Sequence, residues 1–218
     1  DPEVIVAIIG VETFYGRITG SYRVVDALAT LAFEYPPRSA FFTSELEQFL
    51  LLTREQDIDP LLATGSYAGA MGGPQFISSS YRAYAVDGGG DGKVDLWNSW
   101  EDIISSVANY FTEHGWRRDG PVVTAVQPPV PADSLSARLK LDRTVGGLRE
   151  AGLQFGEADA DEAVTLFELE GARGPEYWIG FKNFYVITRY NRSNMYAMAV
   201  HELGQAIGDR RAEVAGGP

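Results

Sequence analysis

Glu12 closes the apolar run Val4–Val11, and a carboxyl group at the end of an almost wholly apolar stretch is costly to bury as an ion. Its pKa is therefore expected to rise, which suits a general acid that must still hold a proton near neutral pH. The same residue would serve as well on the solvent edge of a helix, or as an ion-pair partner of Arg17 or Arg38. A second chemical feature is the acidic, glycine-rich loop that starts at Asp87. It agrees with the EF-hand pattern at position 1 (Asp87), position 5 (Asp91), the glycine at 6 (Gly92), the carbonyl donor at 7 (Lys93), the apolar position 8 (Val94) and an acid at 9 (Asp95). It departs from the pattern at position 3, which is Gly89, and at position 12, which is Asn98. An Asp/Gly turn without metal is the competing reading. The chain has no cysteine, so thiolate nucleophiles, thiolate metal sites and redox pairs are excluded. His114 and His201 are too isolated in sequence to form a metal pair or a triad and are expected to be structural.

These groups need elements to hold them. Periodicity leaves the opening run open between strand and helix, but the flanks favour helix: Asp1 suits an N-cap, Pro2 the first helical position and Glu3 the acidic first turn. Val4, Ile8 and Glu12 then lie on one stripe. Further helices are expected over Tyr22–Phe33, closed by Pro36 and Pro37, over Ser44–Glu55, Asp102–Glu113 and Met195–Ala212. The last is expected to pack back on the first half. Between Leu62 and Ser80 the small residues of SYAGAMGGPQFISSSY predict a loop and short helix with close backbone approach. After Trp116, the stretches VVTAVQPPVP, VTLFELEG and EYWIGFKNFYVITRY are strand-like, broken by Gly and Pro.

The composition is that of an ordinary globular protein, 45% apolar and 22% charged, and its formal charge is −12. Such a surface repels nucleic acid and anionic lipid, so neither is an expected partner. The run Val4–Val11 is far short of the ~20 residues that span a bilayer, and no signal-peptide pattern is present.

The blocks IIGVETFYGR, DALATLAFEYPPR and SYAGAMGGPQF, in that order, resemble the lytic transglycosylases of the B type, glycoside hydrolase family 103. YAVDGGGDGKVDLW, SVANYFTEHGW and FYVITRYNRSNMYAMAV extend the resemblance over nearly the whole chain, most weakly over 128–174. It implies an α+β fold: a mainly α, lysozyme-like core over 1–119 including an EF-hand-like loop at 87–102, a small β-containing subdomain at 120–180, and a segment at 181–218 that returns to the core. It also implies that a helical segment before the catalytic helix is not part of this chain, since Asp1 lies only eleven residues before Glu12.

For function, the resemblance implies a single catalytic acid, Glu12, with no carboxylate nucleophile, so the two-carboxylate scheme does not apply. The acid would protonate the β-1,4 glycosidic oxygen between N-acetylmuramic acid and N-acetylglucosamine, with the substrate's N-acetyl group steadying the developing charge. As base it would then draw a proton from the muramyl C6 hydroxyl, which closes onto C1 to leave a 1,6-anhydro product. Ser66 and Gln75 match the residues that hold the acid and the N-acetyl group. Tyr110, Tyr190, Asn191 and Tyr196 match positions lining the glycan groove, where aromatic faces suit sugar C–H surfaces. Arg38 matches a position facing the peptide or carboxylate parts of the substrate. The resemblance further implies structural Ca²⁺ held by Asp87, Asp91, Lys93, Asp95 and a later acid, Asp102 or Glu101, and no organic cofactor. Expected partners are peptidoglycan strands and other cell-wall enzymes, in the periplasm, with the protein soluble or lipid-anchored through a segment outside this chain. The competing functions are a non-catalytic peptidoglycan-binding protein and a lysozyme-type hydrolase.

Overall fold

The computed structural model describes residues 1–216. It divides into two compact units, one comprising Pro2 and Val4–Tyr110, the other Asp1, Glu3 and the chain from Phe111 onward.

In the first unit α1 spans Pro2–Thr13, with Val4, Ala7, Ile8, Ile9 and Thr13 buried. A two-residue strand β1, Tyr22–Arg23, leads into α2, Val24–Glu34. The prolines that stop α2 form the 3-10 turn Pro36–Arg38, and α3 follows over Ser39–Glu55. Val24, Ala27, Leu28 and Ala32 of α2, and Phe42, Phe49 and Leu52 of α3, are buried at helical spacing, the pattern of two amphipathic helices packed as a hairpin. β1 pairs antiparallel with β2, Thr64–Gly65, so that Tyr22 faces Gly65. α4, Ser78–Tyr84, starts against a buried carboxylate: Glu45 accepts from the Ser79 backbone N–H at 2.9 Å and from its hydroxyl at 2.7 Å. α5, Trp100–Glu113, buries Ile103 and Val107, and the division between the units falls within it.

The second unit is built on a five-stranded antiparallel sheet of order β4-β6-β7-β3-β5. Its strands are β3 (Val123–Gln127), β4 (Arg143–Thr144), β5 (Gln154–Phe155), β6 (Ala163–Gly171) and β7 (Gly174–Gly180). β6 and β7 form its longest pairing, from Thr165 opposite Gly180 to Gly171 opposite Gly174. A short helix α6, Val145–Glu150, lays Val145 and Leu148 on a core shared with Val126, Leu153, Val164, Leu166, Ile179 and Phe181. α7 spans Lys182–Tyr190 and α8 Asn194–Ala215. Arg211 of α8 reaches back to Glu3 at 2.9 Å.

Two local expectations change. Lys182–Tyr190 reads as strand because Val186, Ile187 and Thr188 are β-branched, yet it is helix. Its buried residues, Asn183, Phe184, Val186, Ile187 and Thr188, cover one broad helical face through the i, i+3 and i+4 sets 183/186/187 and 184/187/188, and burial on that face outweighs intrinsic preference. Asp1 does precede the first helix, but its carboxylate receives Trp116 Nε1–H at 2.9 Å and the Asp119 N–H at 3.4 Å. Among the described residues no helix is long and apolar enough to cross a membrane.

Candidate active site

Glu12 is the next-to-last residue of α1 and is half-buried. Directly after it the chain turns sharply. Phe14 and Tyr15 adopt φ of 50° and 59°, followed by Gly16 at 78°. Left-handed backbone costs a side-chain-bearing residue about 1–2 kcal/mol, so two in succession need compensation, and its sources are visible. The Tyr15 N–H bonds to the Ile9 carbonyl at 3.3 Å. The Tyr15 ring covers Gly10 so closely that a side chain there would meet it at 2.8 Å. Thr13, 1% exposed, contributes most: its Oγ1 lies 3.1 Å from the Ile9 carbonyl and 3.1 Å from the Gly73 carbonyl, and it accepts the Gly16 N–H at 3.0 Å.

The loop on the other side of the Gly73 contact carries Ser66 and Gln75. Met71 bridges to both Gly65 and Phe76, folding 66–76 into a tight double turn. Glycine is required at Gly72, where φ is +67° and a Cβ would stand 2.1 Å from the Leu96 carbonyl oxygen. Gln75, also left-handed at φ 51°, donates from Nε2 to the Thr19 carbonyl at 3.1 Å and to the Gly72 carbonyl at 3.0 Å. Both amide hydrogens are thus spent, which leaves the carbonyl oxygen as the group it can present to a ligand. Ser66 is the converse. Its Oγ accepts the N–H groups of Ala68 at 3.3 Å and Ala70 at 3.1 Å, so its proton is what it has to offer. Two hydrogen bonds, Thr13 to Gly73 and Gln75 to Thr19, therefore join the Glu12 turn to the loop of Ser66 and Gln75.

The other expected groove residues are placed differently. Tyr110 is 6% exposed, its ring packed on Phe76 at 5.7 Å and on Tyr84 at 4.9 Å. Arg38 lies over the Phe41 and Phe42 rings, at 4.2 and 5.0 Å. Tyr190, Asn191 and Tyr196 belong to the second unit, at the junction where α7 ends and Ser193 caps α8 by accepting the Tyr196 N–H at 3.2 Å. His201, on α8, is half-buried, and that burial holds its imidazole below the ordinary range. Sequence reasoning missed Thr13, whose buried hydroxyl has no signature beyond standing next to a glutamate. It also missed the exposed aromatics Phe14, Tyr15, Tyr22 and Tyr67 on the segments flanking Glu12 and Ser66.

The acidic loop is held by its own carboxylates. Asp87 accepts the N–H groups of Gly90, Asp91 and Gly92 at 2.5, 3.2 and 2.7 Å. Asp91 accepts from Lys93 at 2.9 Å, and Asp95 from Trp97 and Asn98 at 2.8 and 3.0 Å. Of the two acids weighed for the last position of the loop, Asp102 is the one turned into it. It is 3% exposed and takes the N–H groups of Gly88, Gly89 and Asp95 at 2.9, 3.3 and 2.8 Å, whereas Glu101 is exposed. Burial works to raise the Asp102 pKa, but those N–H groups and the Ser99 hydroxyl outweigh it and hold the carboxyl below its ordinary value. As arranged, each acid faces backbone N–H, and among the described residues no three acidic or histidine side chains gather around one point as metal ligands.

The sequence pattern of the family described as "Transglycosylase SLT domain" matches residues 1–205. The chain is 48% identical over 213 residues to the membrane-bound lytic murein transglycosylase B of Escherichia coli strain K12, a match that covers 97% of this chain and 58% of that protein. The soluble lytic transglycosylase SltB1 of Pseudomonas aeruginosa superposes with a TM-score of 0.92 at 52% identity, over 97% of this chain and 71% of that one. Slt35 of Escherichia coli, in a structure of its complex with calcium, superposes at 0.89 and 47% identity, over 98% of this chain and 68% of that one. A fold and a sequence this closely shared place the chain in the B-type lytic transglycosylase family.

Proposed function

We propose that the chain is the catalytic part of a peptidoglycan lytic transglycosylase and that Glu12 is its acid and base. The observation that carries this reading is the placement of Glu12: a half-buried carboxyl at the end of an apolar helix, in a turn hydrogen-bonded to the loop of Ser66 and Gln75. Strained backbone that the surroundings hold in place is characteristic of functional sites. Glu12 gives its proton to the glycosidic oxygen and then takes one from the muramyl C6 hydroxyl, so that the C1–O bond breaks, a new C1–O6 bond forms, and no water is consumed. The hydrogen-bond complement of the loop suits an acetamido group, which has one acceptor and one donor: Ser66 offers a proton and Gln75 a carbonyl. Phe14, Tyr15, Tyr22 and Tyr67 supply exposed rings of the kind that stack on sugars. Arg38 is proposed as a further substrate contact of the first unit, with Tyr110 packed beneath Phe76 as a support rather than a contact, and Tyr190, Asn191 and Tyr196 are proposed as glycan-contacting residues of the second unit. The substrate class puts the protein's work in the bacterial cell envelope, facing the periplasm.

Calcium binding to the loop at 87–102 belongs to the same proposal. Asp87, Asp91, the Lys93 carbonyl, Asp95 and Asp102 are hard oxygen donors of the type Ca²⁺ takes, and Slt35 binds the ion. Asp87, Asp91, Asp95 and Asp102 all accept backbone N–H groups as arranged, so these carboxylates would have to reorient to hold the ion. The ion would brace the loop and take no part in bond cleavage.

Product analysis tests the activity. Purified peptidoglycan digested with the protein is expected to release anhydromuropeptides. Reducing muramyl ends, heavier by one water, would make it a hydrolase, and binding without release would make it a scaffold.

A further inference from the structure

We propose that Thr13 is the positioning residue of the site, the one side chain whose hydroxyl keeps Glu12 aimed at its substrate. The inference rests on the reading of Glu12 as the acid. A threonine in the last turn of a helix commonly bonds the carbonyl four residues back, and the contact to Ile9 taken alone is of that ordinary kind. The other two contacts are not. The same oxygen lies 3.1 Å from the carbonyl of Gly73, sixty residues away, and it receives the N–H of Gly16 from the far side of the strained Phe14–Tyr15 turn. One buried atom thus gathers the helix end, the turn that follows it and the loop that leads to Gln75.

Glu12 is the immediate neighbour of this knot. Helix ends fray, and an acid on the last turn inherits whatever freedom that turn has. General acid catalysis, by contrast, requires hydrogen-bond reach to one substrate oxygen, and a misplacement of about 1 Å can cost on the order of 10²-fold in rate. The Gln75 to Thr19 bond, 3.1 Å, fixes the outer end of the same turn. Thr13 is the inner fixing point, and it lies one residue from the carboxyl.

Thr13→Val keeps the shape and removes the hydroxyl, whereas Thr13→Ser keeps the hydroxyl and removes the methyl. With peptidoglycan fragments as substrate, valine is expected to lower kcat about 10- to 100-fold with KM within about twofold, and serine to stay within about threefold of wild type. Melting temperatures are measured alongside, because a purely structural threonine would lower kcat only as far as it lowers folded protein, whereas a positioning one lowers the kcat of protein that is still folded. A folded valine variant with wild-type kcat overturns the proposal, as does a serine variant whose kcat falls tenfold. If valine does not fold, Thr13→Ala takes its place and is read by the same kcat criterion on folded protein. A wild-type protein that releases no glycan product overturns the functional reading itself and this inference with it, whereas an active wild type beside an equally active valine variant overturns only the role of Thr13.

Discussion

Two loops of the first unit solve the problem of irregular backbone in opposite ways. The turn after Glu12 is strained, bears bulky residues in left-handed conformation, and is held by neutral hydrogen bonds from Thr13 and Gln75 to distant carbonyls. The loop at 87–102 spends its irregular φ angles on glycines, Gly90 and Gly92, and is held by carboxylates that cap its own N–H groups. The first arrangement locates one side chain at the expense of local stability. The second gives stability and a set of oxygen donors and locates nothing catalytic. Damage to the first should therefore appear in rate, and damage to the second in melting.

The largest expected effect is on rate. Glu12→Gln keeps the volume but carries no transferable proton, so glycan release should fall by at least about 10²-fold with the melting temperature unchanged. Activity retained within tenfold would remove Glu12 from the acid role. For the acidic loop, Asp102→Asn replaces one acceptor oxygen with a donor that faces backbone N–H, and an expected loss of about 1–3 kcal/mol should show in denaturant unfolding while kcat holds. A kcat that falls in proportion would dissolve the distinction between the loops.

Calcium sharpens the comparison further. At about a hundredfold over its dissociation constant the ion should stabilise the protein by about 2.7 kcal/mol, and both chelator and Asp87→Ala should abolish the gain. A melt indifferent to chelator makes the loop a self-capped turn.

The smallest effect is on acid stability. The Asp102 carboxyl is held below its ordinary value in the folded protein. Its stabilisation is therefore complete above the unfolded-state pKa of about 3.9 and drains away as pH falls through the lower folded value. Unfolding free energy measured between pH 5 and 2.5 should fall less steeply in Asp102→Asn than in wild type.

Much of this was legible in the residues themselves. The apolar run, the proline stops and the glycine-rich blocks are local signals, and they marked α1, α2, α3, α5 and α8 and the loop at 87–102, whereas the role proposed for Glu12 came from the family resemblance. The strands β6 and β7 were readable as well, because short β-branched, apolar and aromatic runs bounded by Gly need no partner to be recognised. Where a long-range contact decided the outcome, sequence was silent. Lys182–Tyr190 carries β-branched residues, and only the burial of one helical face made it a helix. Either Glu101 or Asp102 could close the acidic loop by spacing, and only the fold turned Asp102 inward to N–H groups up to fourteen residues away. Thr13 is the clearest case. Residue type says that it can accept and donate, but its partner Gly73 lies sixty residues distant, and hydrogen-bond partners at that range are fixed by how the chain closes on itself rather than by any pattern along it.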